Sequence, residues 1–220
     1  MGDCTVVYYT GHREKFSFEK KIQDKLVETI GDLPLISVSQ KPLSLGKNIC
    51  VGDVGSSAHN AFRQLQIGAE AAKTKFICTA ESDYLYAPEY FRFVPEVADR
   101  FFFLDPLYVL FVQDDRRSRF FALKRRGDYG AMIVGREHLL RRLERMFSQE
   151  SMWQRDLETA RRLHHLVKTG NNGIAKVATP SITFKTRNNM HQRTNHAPVT
   201  STLVLPYWGS VSEVCEKYHD

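Results

Sequence analysis

The first 86 residues alternate between two kinds of segment, and that alternation leaves few folds open. Thr5 to Thr10 (Thr-Val-Val-Tyr-Tyr-Thr) is β-branched and aromatic and predicts a strand. Phe18, Ile22, Leu26 and Ile30 then recur every four residues, the stripe of an amphipathic helix that Gly31 closes. Leu35 to Val38 predicts a second strand. After it, Ala58, Ala61, Phe62, Leu65, Ala69 and Ala72 share one helical face, with Ser56 or Ser57 as the cap. Phe76 to Ala80 is a third strand. Helices that carry the chain back between strands produce parallel pairing, so the expected class is α/β, a mostly parallel sheet flanked by helices. Residues 39–56, with Pro42, Gly46, Gly52 and Gly55, predict a loop long enough to serve a function.

Ligands of such sheets bind outside the carboxyl ends of the strands. Two strand ends qualify here. One is Tyr9 to Arg13. The other is Glu81-Ser82-Asp83, where an apolar strand stops abruptly in two carboxylates that can reach one hard cation because the chain is already turning. An ordinary strand followed by a solvated acidic turn gives the same three residues, so the motif needs its surroundings to be read.

The second half is organised differently. Phe101 to Val112, broken by Asp105 and Pro106, and Phe120 to Lys124 read as strands separated by the polar stretch 113–118. Ala131 to Val134 reads as a third, and Ile182 to Phe184 as a short fourth. Leu139, Leu140, Leu143, Met146 and Phe147 mark one helix face, Trp153, Leu157, Ala160 and Val167 another, and a last short helix ends near His219. No interdomain linker stands out, so residues 1–220 are expected to form one domain, with a ligand-binding half at 1–90 and a second half at 91–220.

Charge is unevenly placed. The net charge is +6, and residues 111–170 hold 14 Lys/Arg against 8 Asp/Glu, while the rest of the chain holds 17 of each. A surplus confined to one segment points to a polyanionic partner, with a solvated arginine-rich helix face as the plain alternative. Phe120, Phe121, Tyr129 and Trp153 lie in the same segment, as core residues or as platforms for a base. The cysteines Cys4, Cys50, Cys78 and Cys215 lack Cys-x-x-Cys spacing, which predicts free thiols in a reducing compartment. No apolar run approaches the roughly 18 residues of a membrane span. Nor does the N-terminus read as a signal peptide, so a cytoplasmic location is expected.

Several short motifs together resemble the small phage-encoded nucleotide-sugar glycosyltransferases of the GT-A type. They are Tyr8-Tyr9-Thr10, Phe62-Arg63-Gln64, Glu81-Ser82-Asp83-Tyr84-Leu85-Tyr86-Ala87-Pro88, and Ile182-Thr183-Phe184-Lys185-Thr186-Arg187-Asn188-Asn189. The resemblance implies a GT-A-like, Rossmann-like fold and a sugar transfer from a nucleoside diphosphate sugar, by family expectation a UDP-sugar. The reaction would be assisted by Mn²⁺ or Mg²⁺. It also implies a hydroxymethylated pyrimidine in phage DNA as acceptor and the cytoplasm of an infected bacterium as location.

Carried onto this chain, the resemblance makes Asp83 the direct metal ligand and gives Glu81 the ribose or a metal-bound water. Tyr9, Thr10 and Arg13 would hold the base and phosphate, and Arg63 would pair with an acid of the site or with the donor. Lys185, Arg187 and Arg193 would close over the diphosphate. Where the family offers a histidine this chain has Thr186, so His191 or His196 would complete the metal shell, or phosphate oxygens alone. Asp105 and Asp128 are candidates for the catalytic base; a retaining mechanism would use neither. Arg116, Arg117 and Arg119, with Lys124, Arg125 and Arg126, would meet an acceptor polyanion.

Three other readings stand beside this one. The acceptor would be a glycan, lipid headgroup or protein; the enzyme would be a nucleotidyltransferase; or the chain would bind nucleic acid without catalysis. The second wants a glycine-rich phosphate loop, and Thr10-Gly11-His12-Arg13 is poor in glycine. The third leaves the acid-tipped strand unexplained. The oligomeric state is not legible.

Overall fold

The computed structural model describes residues 3–112, 119–124, 127–154, 172–186 and 203–220, with the backbone of 196–197. The first half follows the alternation. β1 (Cys4–Thr10) leads to α1 (Phe16–Ile30), β2 (Leu35–Ser39), β3 (Lys47–Cys50), α2 (Ala58–Ala71) and β4 (Phe76–Glu81). β1 lies between β2 and β4 and pairs with both in parallel, and β2 pairs in parallel with β3. Gly31 ends α1 at φ 60°, in the left-handed region that glycine enters without penalty. Ser57 caps α2, its side chain accepting from the Asn60 N–H.

Strand alternation sorts the side chains of β1. Val7 and Tyr9 join Phe62 and Leu65 of α2 in one core. Val6 and Tyr8 join Leu26 and Ile30 of α1 in another on the opposite face. The sheet is therefore covered on both sides, which is why its strands read as continuous apolar runs.

Beyond β4 the chain forms β5 (Tyr84–Leu85), α3 (Pro88–Arg92), β6 (Phe101–Phe111), β7 (Phe120–Lys124), β8 (Met132–Gly135), α4 (Arg136–Phe147) and β9 (Gly173–Lys185). Then come β10 (His196–Ala197), β11 (Val204–Leu205), β12 (Gly209–Ser210) and α5 (Val211–Val214), with one π-helical turn over Cys215–His219. The pairing here is mixed. β8 is antiparallel to both β4 and β6, and β7 is antiparallel to β6. β9 runs parallel to β6 along its other edge and antiparallel to β5. α4 adds Leu139, Leu143, Met146 and Phe147 to the core under α2.

Two expectations are revised. The 39–56 loop contains a strand, β3. It is a polar edge strand held by Asn48, whose Nδ2 donates to the Ser37 and Ser39 hydroxyls at 2.9 and 2.8 Å, so hydrophobic patterning does not reveal it. The strand expected from Phe101 to Val112 is β6, which runs on through Asp105-Pro106 with a register shift against β9 between Asp105 and Leu107, where proline offers no N–H to the ladder. β9 is far longer than Ile182 to Phe184. The helix expected from Trp153 onward falls mostly on residues 155–171, outside the described residues. No described helix is long and apolar enough to cross a membrane.

Candidate active site

The parallel pairing of β1 and β4 sets Tyr9 beside Glu81, so both strands end at the same edge of the sheet. The Tyr9 hydroxyl donates to Glu81 Oε1 at 2.5 Å. The Glu81 N–H donates to the Tyr86 hydroxyl at 2.9 Å, which in turn donates to the Gly130 carbonyl at 2.5 Å. Gly130 lies directly against the acid: a Cβ there would stand 2.9 Å from Glu81 Cδ and 2.7 Å from Tyr84 Cζ. Asp128 fixes that turn. Its Oδ1 accepts from the Gly130 N–H at 3.0 Å, and its other oxygen pairs with Lys124.

Asp83 is 8% exposed and ends the two-residue turn between β4 and β5. Its carbonyl accepts the Phe184 N–H at 2.8 Å, and Tyr84 pairs with Thr183. The end of β9 therefore arrives beside the acids and brings Lys185. Burial raises the Asp83 carboxyl pKa, opposed by Lys185 and Lys124 and reinforced by Glu14. Burial also raises Glu81, with the Asp83 charge as the next cause. Two carboxylates that hold protons more tightly because they share a buried edge are two that gain by sharing a cation.

A second acidic group adjoins the first. Glu19, 3% exposed on α1, accepts from the Thr10 hydroxyl at 3.2 Å and lies 3.3 Å from His12 Nδ1. His12 itself has φ 51°, an unusual conformation for a residue with a Cβ. The Thr186 hydroxyl donates to Glu14 Oε1 at 2.6 Å, tying the end of β9 to the entry of α1. Burial pushes Glu19 up to about 7 from an ordinary 4.5. The folded protein thus keeps a proton that the unfolded chain releases near pH 4.5, and this stabilisation is lost as pH rises to about 7. Unfolding free energy in urea is expected to fall between pH 5 and pH 8, by on the order of 3 kcal/mol from Glu19. Glu19→Gln should flatten the profile; an equally steep profile in that variant would remove Glu19 as its source.

The structure gathers Tyr9, Thr10, Glu81, Asp83, Asp128 and Lys185 at this edge. The Tyr9 and Thr10 hydroxyls are committed to Glu81 and Glu19, so they shape the site from beneath. Arg13 is exposed on the loop between β1 and α1.

Other expected site residues stand elsewhere. Arg63 is not at the acids: its guanidinium stacks 3.7 Å from the Phe147 ring centre and donates to the Glu150 and Ser151 carbonyls, which anchors the end of α4. Its neighbour Gln64 does reach the edge, donating to the Thr10 and Val38 carbonyls at 3.0 and 3.1 Å. Asp105 sits within β6 opposite Lys176, at the register shift. Arg119 does not offer a free cation, because Asp220 takes it in a two-pronged pair at 2.7 and 2.8 Å. Phe121 and Tyr129 are core residues, and Phe120 stacks on Phe111 at 4.8 Å. Arg116, Arg117, Arg125, Arg126, Arg187, His191 and Arg193 lie outside the described residues, as does the His196 side chain.

Sequence reasoning missed Glu19 and Gly130, and gave no role of their own to His12, within the Tyr9 to Arg13 strand end, or to Tyr86, within the acidic motif. Glu19 lies next to the Phe18, Ile22, Leu26 and Ile30 stripe and about 100° round the helix from it, so the periodicity gave no sign of its burial.

No family model and no curated protein matches the chain. Among solved structures it is similar to the bifunctional IspDF from Campylobacter jejuni (10% identity, TM-score 0.42), over 81% of this chain and 50% of that one. It is also similar to a glycosyltransferase involved in the glycosylation of the major capsid of PBCV-1 (14%, TM-score 0.43), over 79% and 81% of the two chains. The inositol-1-phosphate CTP transferase from T. maritima is similar too (11%, TM-score 0.48), over 87% and 93%. The chain thus spans half the length of the first of these proteins.

Proposed function

We propose that the chain is a glycosyltransferase of the GT-A type that uses a nucleoside diphosphate sugar, with the diphosphate bound at the shared edge of β1, β4 and β9. The observation that supports this reading is the carboxylate pair of half-buried Glu81 and buried Asp83, facing Lys185 and Lys124, in the motif that carries the resemblance. Among the described residues no three His, Cys, Asp or Glu side chains are arranged to hold a metal. A pair of carboxylates with raised proton affinity still suits a hard cation whose remaining ligands are phosphate oxygens and water. Asp83 would hold Mn²⁺ or Mg²⁺ directly, and Glu81, steadied by Tyr9, would hold a water of that ion or the ribose. The cation supplies charge neutralisation for the departing diphosphate.

This chain's own residues do the rest. Lys185 places a fixed positive charge beside the acids for the phosphates. Asp128, paired with Lys124 and accepting from the Gly130 N–H, would accept the acceptor hydroxyl proton in an inverting transfer. In this reading residues 1–90 are the nucleotide-sugar-binding half, and 91–220 are the acceptor half with a C-terminal closing segment that brings Lys185. The acceptor proposed is a hydroxymethylpyrimidine of DNA, supported by the charge surplus of residues 111–170, part of which is Arg141, Arg142 and Arg145 on α4.

Calorimetric titration with UDP tests the reading. Binding is expected with Mn²⁺ and to be much weaker without it. Glu81→Gln should reduce affinity less than Asp83→Asn, since an amide replaces a hydrogen-bonding carboxylate better than a metal-bound one. No UDP binding under either condition would remove the nucleotide-sugar reading. UDP binding with transfer to a glycan and none to hydroxymethylated DNA would remove only the acceptor.

A further inference from the structure

The start of β1 and the middle of β4 hold a feature that the proposed transfer does not use. Cys4, the first residue of β1, and Cys78, in the middle of β4, point to the same face of the sheet, and their Sγ atoms stand 2.6 Å apart. Both are free thiols. The separation exceeds a disulfide bond, about 2.05 Å, by only about 0.6 Å. The register explains the approach. Cys4 pairs with Phe76 and Val6 with Cys78, so the two cysteines are diagonal neighbours on adjacent strands. Diagonal neighbours meet only when their side chains reach toward each other, as these do, and closing the bond draws the start of β1 along the strand direction. Cys4 is half-buried and Cys78 fully buried.

We propose that Cys4 and Cys78 are a dithiol modification site, which forms an internal disulfide with small-molecule disulfides such as oxidised glutathione. The more accessible Cys4 thiolate attacks one glutathione sulfur, making a mixed disulfide and expelling one glutathione thiolate. Cys78 then loses its proton and attacks the Cys4 sulfur, expelling the second glutathione. Two protein S–H bonds are exchanged for one S–S bond, and oxidised glutathione is reduced to two thiols. Burial and the neighbouring Cys4 raise the Cys78 thiol, which suits it to the second step rather than the first. The bond would tie β1 to β4 at the end of the ladder opposite Tyr9 and Glu81, so it stiffens the site's two supporting strands without touching the site.

The test uses the full chain carrying Cys50→Ser, which removes the one exposed thiol. After equilibration with oxidised glutathione and denaturation, the free thiols are expected to fall from three to one, leaving Cys215. Peptide mapping should join the segments that contain residues 4 and 78, and the oxidised form should unfold at higher temperature. Cys4→Ser in the same background should keep both remaining thiols. Three surviving thiols, glutathione retained on Cys4, or a bridge to Cys215 would each overturn the proposal. The readout needs no donor, metal or transfer, so it stands or falls independently of the glycosyltransferase reading.

Discussion

Asp83→Ala is expected to lower Mn²⁺-dependent affinity for UDP by roughly 100-fold or more, about 2.8 kcal/mol, the scale of losing a direct ligand to a hard cation. The fold should survive. What binds this turn to the rest of the sheet is the main chain, through the Phe184 N–H on the Asp83 carbonyl and the pairing of Tyr84 with Thr183, and alanine preserves both. Removing the carboxylate also lifts one charge that raises the proton affinity of Glu81. The thermal midpoint of the variant should therefore equal or exceed that of the parent when no metal is present. Calorimetry with and without Mn²⁺, paired with a melting curve, reads both effects. Undiminished affinity with metal present would exclude Asp83 as the ligand, and a collapsed melting curve would exclude its placement at a dispensable edge.

Gly130→Ala is expected to damage the same site from behind. The added methyl would stand 2.7 Å from Tyr84 Cζ and 2.9 Å from Glu81 Cδ, and neither neighbour is free to retreat. Tyr84 is buried and stacks on Tyr86 with ring centres 5.4 Å apart, while Glu81 is held by Tyr9 at 2.5 Å. Overpacking of this kind costs about 1–3 kcal/mol. Whatever relief occurs must come from moving the acid or the turn that Asp128 fixes, so donor affinity should fall along with stability. Urea unfolding and UDP titration of the variant measure the two. A variant with both quantities unchanged would mean that the turn is softer than its hydrogen bonds indicate.

How much of this was legible in the chain follows from the range of the interactions involved. The periodicity of Phe18, Ile22, Leu26 and Ile30 and the β-branched run of β1 are local, and they placed α1, α2, β1, β2 and β4 from sequence alone. So was the acid tip, because a strand that ends in two carboxylates is visible without knowing its neighbours. β3 was not, since a polar edge strand is selected by its partner's hydrogen bonds rather than by burial. The length of β9 was likewise hidden: its parallel pairing with β6 carries it back to Gly173, through a stretch that Pro180 interrupts in sequence.

For the site, the sequence by itself determined which residue types sit at the ends of β1 and β4. Only the tertiary structure decided which of them meet. It joined Tyr9 to Glu81 and brought Lys185 to Asp83. It also turned Glu19 inward onto Thr10 and assigned Gly130 and Tyr86 to the acid's support. It withdrew Arg63 and Arg119, whose charges meet the Glu150 and Ser151 carbonyls just beyond α4 and the carboxylate of Asp220. A polar side chain's partner lies wherever the chain returns to it, 101 positions away for the charged Arg119 and 72 for the Tyr9 hydroxyl, and no local pattern carries that distance.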